Sequence, residues 1–245
     1  MSAGTNYWVV MAAAGASRRF GEATPKQHQA LAGSTVLDLA LRLFCVDKRC
    51  LGIALALSPA ALDNELLCSR LPAKATPIRG GARRVDSVLA GLESLSKRAQ
   101  AQDWVLVHDA ARPCLSEADL ERLLQAGFAH PLGALLAAPV TDTLKRADAT
   151  LGSECTVDRT SLWRAQTPQM FRYASLCAAL REAGRAGRDP TDEAQAMEWQ
   201  GGRPLLIAAQ DSNIKITNRQ DLAVAVAILA ARVAEPEDAA TGSRK

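Results

Sequence analysis

Four apolar runs of strand length, Tyr7 to Ala12, Gly52 to Leu57, Trp104 to His108 and Gly133 to Val140, recur along the chain with helical periodicity between them. Runs that are apolar at nearly every position, rather than at every second one, belong to strands buried on both faces, as in a parallel sheet covered by helices. The intervening segments supply those helices. Ser34 stands where it can cap "TVLDLALRLF", and Arg83 begins the amphipathic "RRVDSVLAGLESL". Ser116 with Asp119 gives "EADLERLLQAG" a capping-box-like opening, and Asn218 can cap "RQDLAVAVAILAARV". The β-α-β-α order predicts an α/β fold built on a single doubly wound, mostly parallel sheet. Residues 1–233 read as one domain, and the remainder, 234–245, as a flexible tail without apolar periodicity.

Composition narrows the function. A hydrophobic content of 48% in 245 residues is ample for one core. With 22% charged residues and a net charge of +3, no global basic field argues for a nucleic-acid or membrane partner, so any anion site is local. Cys45, Cys50, Cys68, Cys114, Cys155 and Cys177 form no CxxC and no Cys/His pair at metal-ligand spacing. They read as reduced thiols of a cytoplasmic protein, without structural zinc. The N-terminal apolar segment is short and no Lys or Arg precedes it, which fits neither a signal peptide nor a spanning helix.

In a doubly wound sheet, ligands bind beyond the carboxyl ends of the strands. The first loop there, "AAAGASRRFGEATPK", matches neither the GxxxxGK[ST] phosphate loop nor the GxGxxG dinucleotide fingerprint. It is a small-residue turn whose backbone N–H groups can approach a polyanion, with Arg19 and Lys26 as charged donors. Alone it serves equally as a solvated surface loop. The second loop, "LVHDAARP", puts Asp109 at the end of a buried strand, where a carboxylate can hold Mg²⁺ together with phosphate oxygens or can simply cap the turn. Strand alternation turns His108 to the opposite face, as a structural histidine. In "RGGARRVDSV", Gly80 and Gly81 either let backbone approach a planar base or make a tight strand-to-helix turn, and Ser87 can offer a hydroxyl.

Together "AAAGASRRFG....PKQ", "GGARRVDSV", "VHDAARP", "APVTDTLKR", "TVDRTSLWRAQTPQ", "TDEAQAME" and "DSNIKIT" are similar, in order and spacing, to the motifs of one family. The resemblance, over residues 7 to 230, is to the 2-C-methyl-D-erythritol 4-phosphate cytidylyltransferases of the nonmevalonate isoprenoid pathway. Two positions depart from that pattern: Ala12 replaces the usual proline and Ser17 a common glycine, leaving the cations in register.

The resemblance implies a Rossmann-like nucleotidyltransferase with a protruding dimerisation arm at about 141–162. It implies transfer of CMP from CTP to the polyol phosphate, with release of pyrophosphate. A phosphate monoester with a second pKa of about 6 is mostly dianionic at neutral pH, so the nucleophile requires no general base. Cations that bring it to the α-phosphate become the catalysts. By match these are Arg19, Lys26 and Lys215. Mg²⁺, or another divalent cation, is implied at Asp109. The nucleotide falls to Ala12, Ala13, Ala14, Gly15, Gly80, Ala82, Ser87, Asp109 and Ala110. Acceptor recognition falls to Arg112, Thr143, Arg159, Thr167 and Thr191, with Arg164 a further candidate. In such enzymes the arm carrying Thr143 and Arg159 completes the neighbouring subunit's site, which implies a homodimer. "TPQMF" and Trp163 read as packing residues, Thr167 excepted. Three other readings remain at this stage: cytidylyl transfer to another polyol phosphate such as ribitol 5-phosphate, a sugar-1-phosphate nucleotidylyltransferase, and a non-catalytic CTP sensor.

Overall fold

The computed structural model describes residues 5–15, 20–21 and 24–234. From the N-terminus run β1 (Tyr7–Ala13), a ribbon of β2 (Ala30–Leu31) and β3 (Ser34–Thr35), α1 (Val36–Val46) and β4 (Cys50–Leu57). Short helices α2 (Pro59–Leu62) and α3 (Glu65–Ser69) lead to β5 (Ala75–Arg79), α4 (Arg84–Ser94) and β6 (Trp104–Asp109). Then follow α5 (Glu117–Ala129), β7 (Ala134–Pro139), the paired β8 (Leu144–Ala147) and β9 (Ser153–Val157), and β10 (Trp163–Arg172). The chain continues through α6 (Tyr173–Arg185), α7 (Glu193–Glu198), β11 (Leu205–Ala208) and α8 (Gln220–Ala234).

Seven strands form the central sheet in the order β11-β7-β10-β6-β1-β4-β5. All neighbours pair in parallel except β10, which runs antiparallel to both β6 and β7. The α/β, mostly parallel architecture is therefore as the alternation of apolar runs predicts. Side chains of β1 alternate between two cores: Tyr7, Val9, Met11 and Ala13 pack with α1 and α5, while Trp8 and Val10 pack with α4 and α6. Because both faces are covered, the strand carries no polar position, which is why it is legible as a continuous apolar run. The chain winds outward from β1 through β4 to β5, then crosses back to β6 on the other side of β1. That reversal opens the crevice between the carboxyl ends of β1 and β6, the position such folds use for ligands.

Local chemistry differs from the sequence reading in several places. Thr35, not Ser34, caps α1: its hydroxyl accepts the Asp38 N–H, and the Asp38 carboxylate accepts the Thr35 N–H, a reciprocal box. At α5 Ser116 accepts the Asp119 N–H at 3.1 Å, but the Asp119 carboxylate turns to Arg122 and to the Gln210 N–H, so only half the box forms. Asn218 caps α8 as expected, accepting the Asp221 N–H at 3.2 Å. Trp163, expected to pack, is 39% exposed at the start of β10, whereas Met170 and Phe171 further along are fully buried. The segment expected as an arm contains the antiparallel hairpin β8–β9, exposed along most of its length. Among the described residues, no helix is long and apolar enough to cross a membrane.

Candidate active site

At the ends of β1 and β6 lies a cavity of about 260 Å³. Its wall includes Ala12, Ala13, Ala14 and Gly15 after β1, Gly81 to Arg84 and Ser87 at the start of α4, Asp109 to Ala111 after β6, and Lys26, Gln27, Lys215 and Thr217. Three loops distant in sequence are tied together here by hydrogen bonds. The buried Gln27 amide donates to the Ala13 carbonyl at 2.8 Å and to the Gly15 carbonyl at 3.2 Å, fixing the small-residue turn. The Ile216 N–H donates to the Ala111 carbonyl at 2.8 Å, and the Lys26 ammonium donates to the Ile216 carbonyl at 2.6 Å. Lys26 and Lys215 are thereby brought to one cavity from positions almost the whole chain apart.

Asp109 stands at the centre of the charge arrangement. It shares strand parity with Val105 and Val107, so its side chain lies toward α4, and it is only 6% exposed. One carboxylate oxygen, Oδ1, accepts from Arg84 Nε at 2.9 Å and the other, Oδ2, from Lys215 Nζ at 2.7 Å. Burial pushes the Asp109 carboxyl up, but the adjacent Arg84 and Lys215 charges outweigh it and hold the group well below the usual carboxylate range. Arg84 in turn lays the ends of its guanidinium on Glu193, Nη1 to Oε1 at 2.7 Å and Nη2 to Oε2 at 3.0 Å. This fork-on-fork geometry is the strong form of a charged hydrogen bond.

His108 lies on the opposite face, its ring 5.3 Å from that of Phe44 at an interplanar angle of 62°. The Thr167 hydroxyl accepts the Asp109 N–H at 3.1 Å, lies 3.0 Å from His108 Nδ1, and is buried between them. Because the Arg112 carbonyl 3.2 Å from Nε2 can only accept, the imidazole carries its hydrogen on Nε2, and Nδ1 accepts the Thr167 hydroxyl proton. Burial pushes His108 down to about 4, so it is neutral near pH 7. A neutral ring locked on both nitrogens is a frame for the Asp109 loop, in keeping with the structural reading of this histidine.

The two glycines divide their roles differently from expectation. Gly81, rather than Gly80, lines the cavity beside Ala82. A Cβ on Gly80 would lie 2.4 Å from Ala14 Cβ and 3.1 Å from the Leu57 carbonyl oxygen, so glycine there lets the α4 turn close against the loop after β1. Ser87 accepts the Gly81 N–H at 3.1 Å and sits 3.2 Å from the Arg83 carbonyl, leaving one lone pair of its hydroxyl uncommitted.

Of the residues expected at the site, Lys26, Lys215, Asp109, Ala12 to Gly15, Ala82, Ser87 and Ala110 meet in the cavity. Arg112 and Thr167 lie just behind it: Arg112 is 9% exposed and donates to the Asn213 carbonyl at 2.7 Å. Thr143 and Arg159, on the exposed arm, and the exposed Thr191 do not line the cavity within this chain. Arg164 is exposed and paired with Asp211. Arg19 lies outside the described residues. Sequence reading passed over Gln27, Arg84, Glu193 and Asn213. Gln27 stood in the open within "PKQ", whereas nothing local marks Arg84 and Glu193 as partners across 109 positions.

The residues present fit a divalent cation of the magnesium type. Asp109 is the one carboxylate among the cavity's described lining, it is ionised, and each oxygen retains lone pairs. Among the described residues, no group of three or more His, Cys, Asp or Glu side chains could cage a metal. That donor set suits an ion shared between one carboxylate and substrate phosphates, as Mg²⁺ commonly is.

Comparison with known proteins bears on what the cavity serves. Residues 7–231 match the family model described as 2-C-methyl-D-erythritol 4-phosphate cytidylyltransferase. The protein of that name from Acidithiobacillus ferrooxidans is 50% identical over 234 residues, covering 93% of this chain and 98% of its own. The one from Halorhodospira halophila is 46% identical over 238 residues, covering 94% and 97%. Among solved structures, the cytidylyltransferase of that name from Francisella tularensis superposes with a TM-score of 0.79 at 31% identity, over 91% of this chain and 99% of its own. The Thermus thermophilus structure gives 0.74 at 31% identity, over 91% and 98%.

Proposed function

The chain belongs to the 2-C-methyl-D-erythritol 4-phosphate cytidylyltransferase family, and we propose a division of labour among its residues that accounts for the family's reaction. It is a nucleotidyltransferase: CMP passes from CTP to 2-C-methyl-D-erythritol 4-phosphate, giving 4-diphosphocytidyl-2-C-methyl-D-erythritol and pyrophosphate, in isoprenoid precursor synthesis. The observation that carries the mechanism is the meeting of Lys26, Lys215 and Asp109 with the bare backbone of the loop after β1 in one cavity.

The reaction joins a phosphate oxygen of the acceptor to the α-phosphorus of CTP and breaks the bond to the β-phosphate, whose oxygen departs with the electron pair. Repulsion between a dianion and a nucleotide bearing about four negative charges is the main obstacle, and positioned cations remove it. Lys26 grips the triphosphate from the β1 side. Lys215 leaves Asp109 Oδ2 for an α-phosphate oxygen and opposes the charge that develops there. Arg19 has the charge and the place in sequence for the same work beside Lys26. A Mg²⁺ ion held by Asp109 and the triphosphate would neutralise part of the leaving group's charge. Backbone of Ala12 to Gly15 and of Gly81 and Ala82, with the remaining lone pair of Ser87, offers the cytosine edge donors and acceptors without competing charge. No base is required, and His108, beside Asp109, is committed to the frame on both nitrogens.

Thr191 lies on the acceptor side, Arg112 and Thr167 support that side from behind the cavity, and a partner subunit completes it through Thr143 and Arg159. An exposed two-stranded hairpin is marginally stable alone, and its Leu151 is 88% exposed, which supports docking on a second copy in a homodimer. Six unpaired cysteines support a reducing, cytoplasmic setting. The test is pyrophosphate release from CTP and Mg²⁺ with 2-C-methyl-D-erythritol 4-phosphate or ribitol 5-phosphate as acceptor. The expected outcome is a higher kcat/KM for the methylerythritol phosphate; the reverse order overturns the assignment.

A further inference from the structure

Glu193 is 1% exposed, is absent from the cavity's lining, and spends both carboxylate oxygens on Arg84. Buried ion pairs are poor stabilisers compared with apolar groups of equal volume, so this pair invites an account beyond stability. Arg84 has three further N–H donors, and of these Nε reaches Asp109 Oδ1 at 2.9 Å. Resting on the cytidylyltransferase reading of the cavity, we propose that Glu193 is a positioning residue for the reaction, acting through Arg84 to keep Asp109 Oδ2 open to an exchangeable partner.

Four charges share this space, Asp109 and Glu193 against Arg84 and Lys215, and they sum to zero. In the structure Lys215 occupies Oδ2 at 2.7 Å. For Lys215 to turn to a phosphate, it must leave a carboxylate that is nearly buried, and an uncompensated buried carboxylate is costly. Arg84 remains behind and limits that cost. Glu193 sets how Arg84 gives: by gripping Nη1 and Nη2 end-on it fixes the plane of the guanidinium, and in that orientation Arg84 makes one hydrogen bond to Asp109, through Nε. Without that restraint the guanidinium fork turns onto Asp109 in bidentate fashion and engages both oxygens, in competition with the exchangeable partner at Oδ2. Glu193 is the first residue of α7, and its neighbour Asp192 caps that helix by accepting the Gln195 N–H at 2.9 Å. The restraint is therefore anchored in regular structure rather than in a loose loop.

Removing the Glu193 charge has two separable consequences. The cavity gains one net positive charge, which favours binding of the polyanionic nucleotide, and Asp109 loses its availability, which slows turnover. Glu193→Gln is expected to tighten CTP binding by about 3-fold or more, as an unscreened charge near the site should. The same variant is expected to lower kcat by about 10-fold or more, as loss of one positioned charge commonly does. A residue that only stabilises the fold moves neither quantity in this opposed manner.

The experiment measures CTP dissociation constants by calorimetry and kcat by pyrophosphate release, with thermal melts as a check on folding. Wild type is compared with Glu193→Gln, Glu193→Asp and the double variant Arg84→Gln/Glu193→Gln. Glu193→Asp keeps the charge and should keep the wild-type dissociation constant with a smaller loss of kcat. The double variant is again neutral and should return CTP affinity to the wild-type value while kcat stays low. Should Glu193→Gln not fold, the other two variants decide. Unchanged or weakened CTP binding in Glu193→Gln with only a lower melting temperature overturns the proposal, as does tightened binding in Glu193→Asp. If wild type releases no pyrophosphate, the underlying functional reading fails instead, and calorimetry on the variants still reports the charge effect.

Discussion

Replacing Thr167 with valine keeps the volume of the side chain and removes one hydroxyl that serves two buried neighbours. The hydroxyl accepts the Asp109 N–H at 3.1 Å and donates to His108 Nδ1 at 3.0 Å, and Thr167 itself is only 5% exposed. Each buried group left unpaired costs about 1–3 kcal/mol, so the pair amounts to roughly 2–6 kcal/mol. For a chain of this size about 1 kcal/mol moves Tm by 2–4 °C, which places the expected drop at roughly 4–24 °C. Thr167→Ser retains the hydroxyl and should stay within about 1 kcal/mol of wild type, because only a methyl group is lost. Urea unfolding followed by far-ultraviolet circular dichroism, with calorimetric Tm as a second measure, separates the two variants. The valine protein should also lose turnover, since the Asp109 loop is no longer held from behind. A valine variant as stable as wild type would refute the argument that this hydroxyl closes the Asp109–Thr167–His108 chain of hydrogen bonds.

Three other outcomes follow from the same geometry. Lys26→Ala and Lys215→Ala should each lower kcat by about 10² or more in steady-state pyrophosphate release, and a change confined to KM would mean that these lysines only bind substrate. Gly80→Ala places a methyl 2.4 Å from Ala14 Cβ and should raise the KM for CTP while costing about 1–3 kcal/mol in denaturant titration, with Ala14→Gly restoring both. His108 titrates near 6.5 in the unfolded chain and near 4 when folded, because its buried ring resists charging. Between those values the unfolded state binds the extra proton, so stability is full above pH 6.5 and declines by about 3 kcal/mol as pH falls to 4. His108→Gln should flatten the slope of unfolding free energy against pH within that window; an unchanged slope contradicts the assignment.

The parts of the fold legible in the sequence are those where burial alone dictates residue type. Strands β1, β4, β6 and β7 are covered on both faces and therefore read as apolar runs. Strand β5 lies at the sheet edge with Pro77 and Arg79 in it, and β11 is a short opposite edge strand, so neither carries that signal. The antiparallel β10 was hidden for a different reason. Its Thr167 and Gln169 are spent on side-chain hydrogen bonds to the Asp109 loop and to the start of α7, which makes the strand look polar although it sits inside the sheet. In the site, Lys26, Asp109 and Lys215 were accessible through their motifs. Arg84 and Glu193 were not, because each resembles an ordinary helix-surface charge until the sheet places them 2.7 Å apart.

Whether an ionised acceptor displaces pyrophosphate without help from a protein base is tested most directly by the pH dependence of kcat/KM for pyrophosphate release. The acceptor's phosphate and a phosphonate analogue, whose second ionisation lies higher, are compared under the same conditions. The account predicts a single acidic limb, near pH 6 for the phosphate given a monoester second pKa of about 6, that moves upward with the analogue. A limb that stays at the same pH for both acceptors would assign the ionisation to the protein and contradict the account.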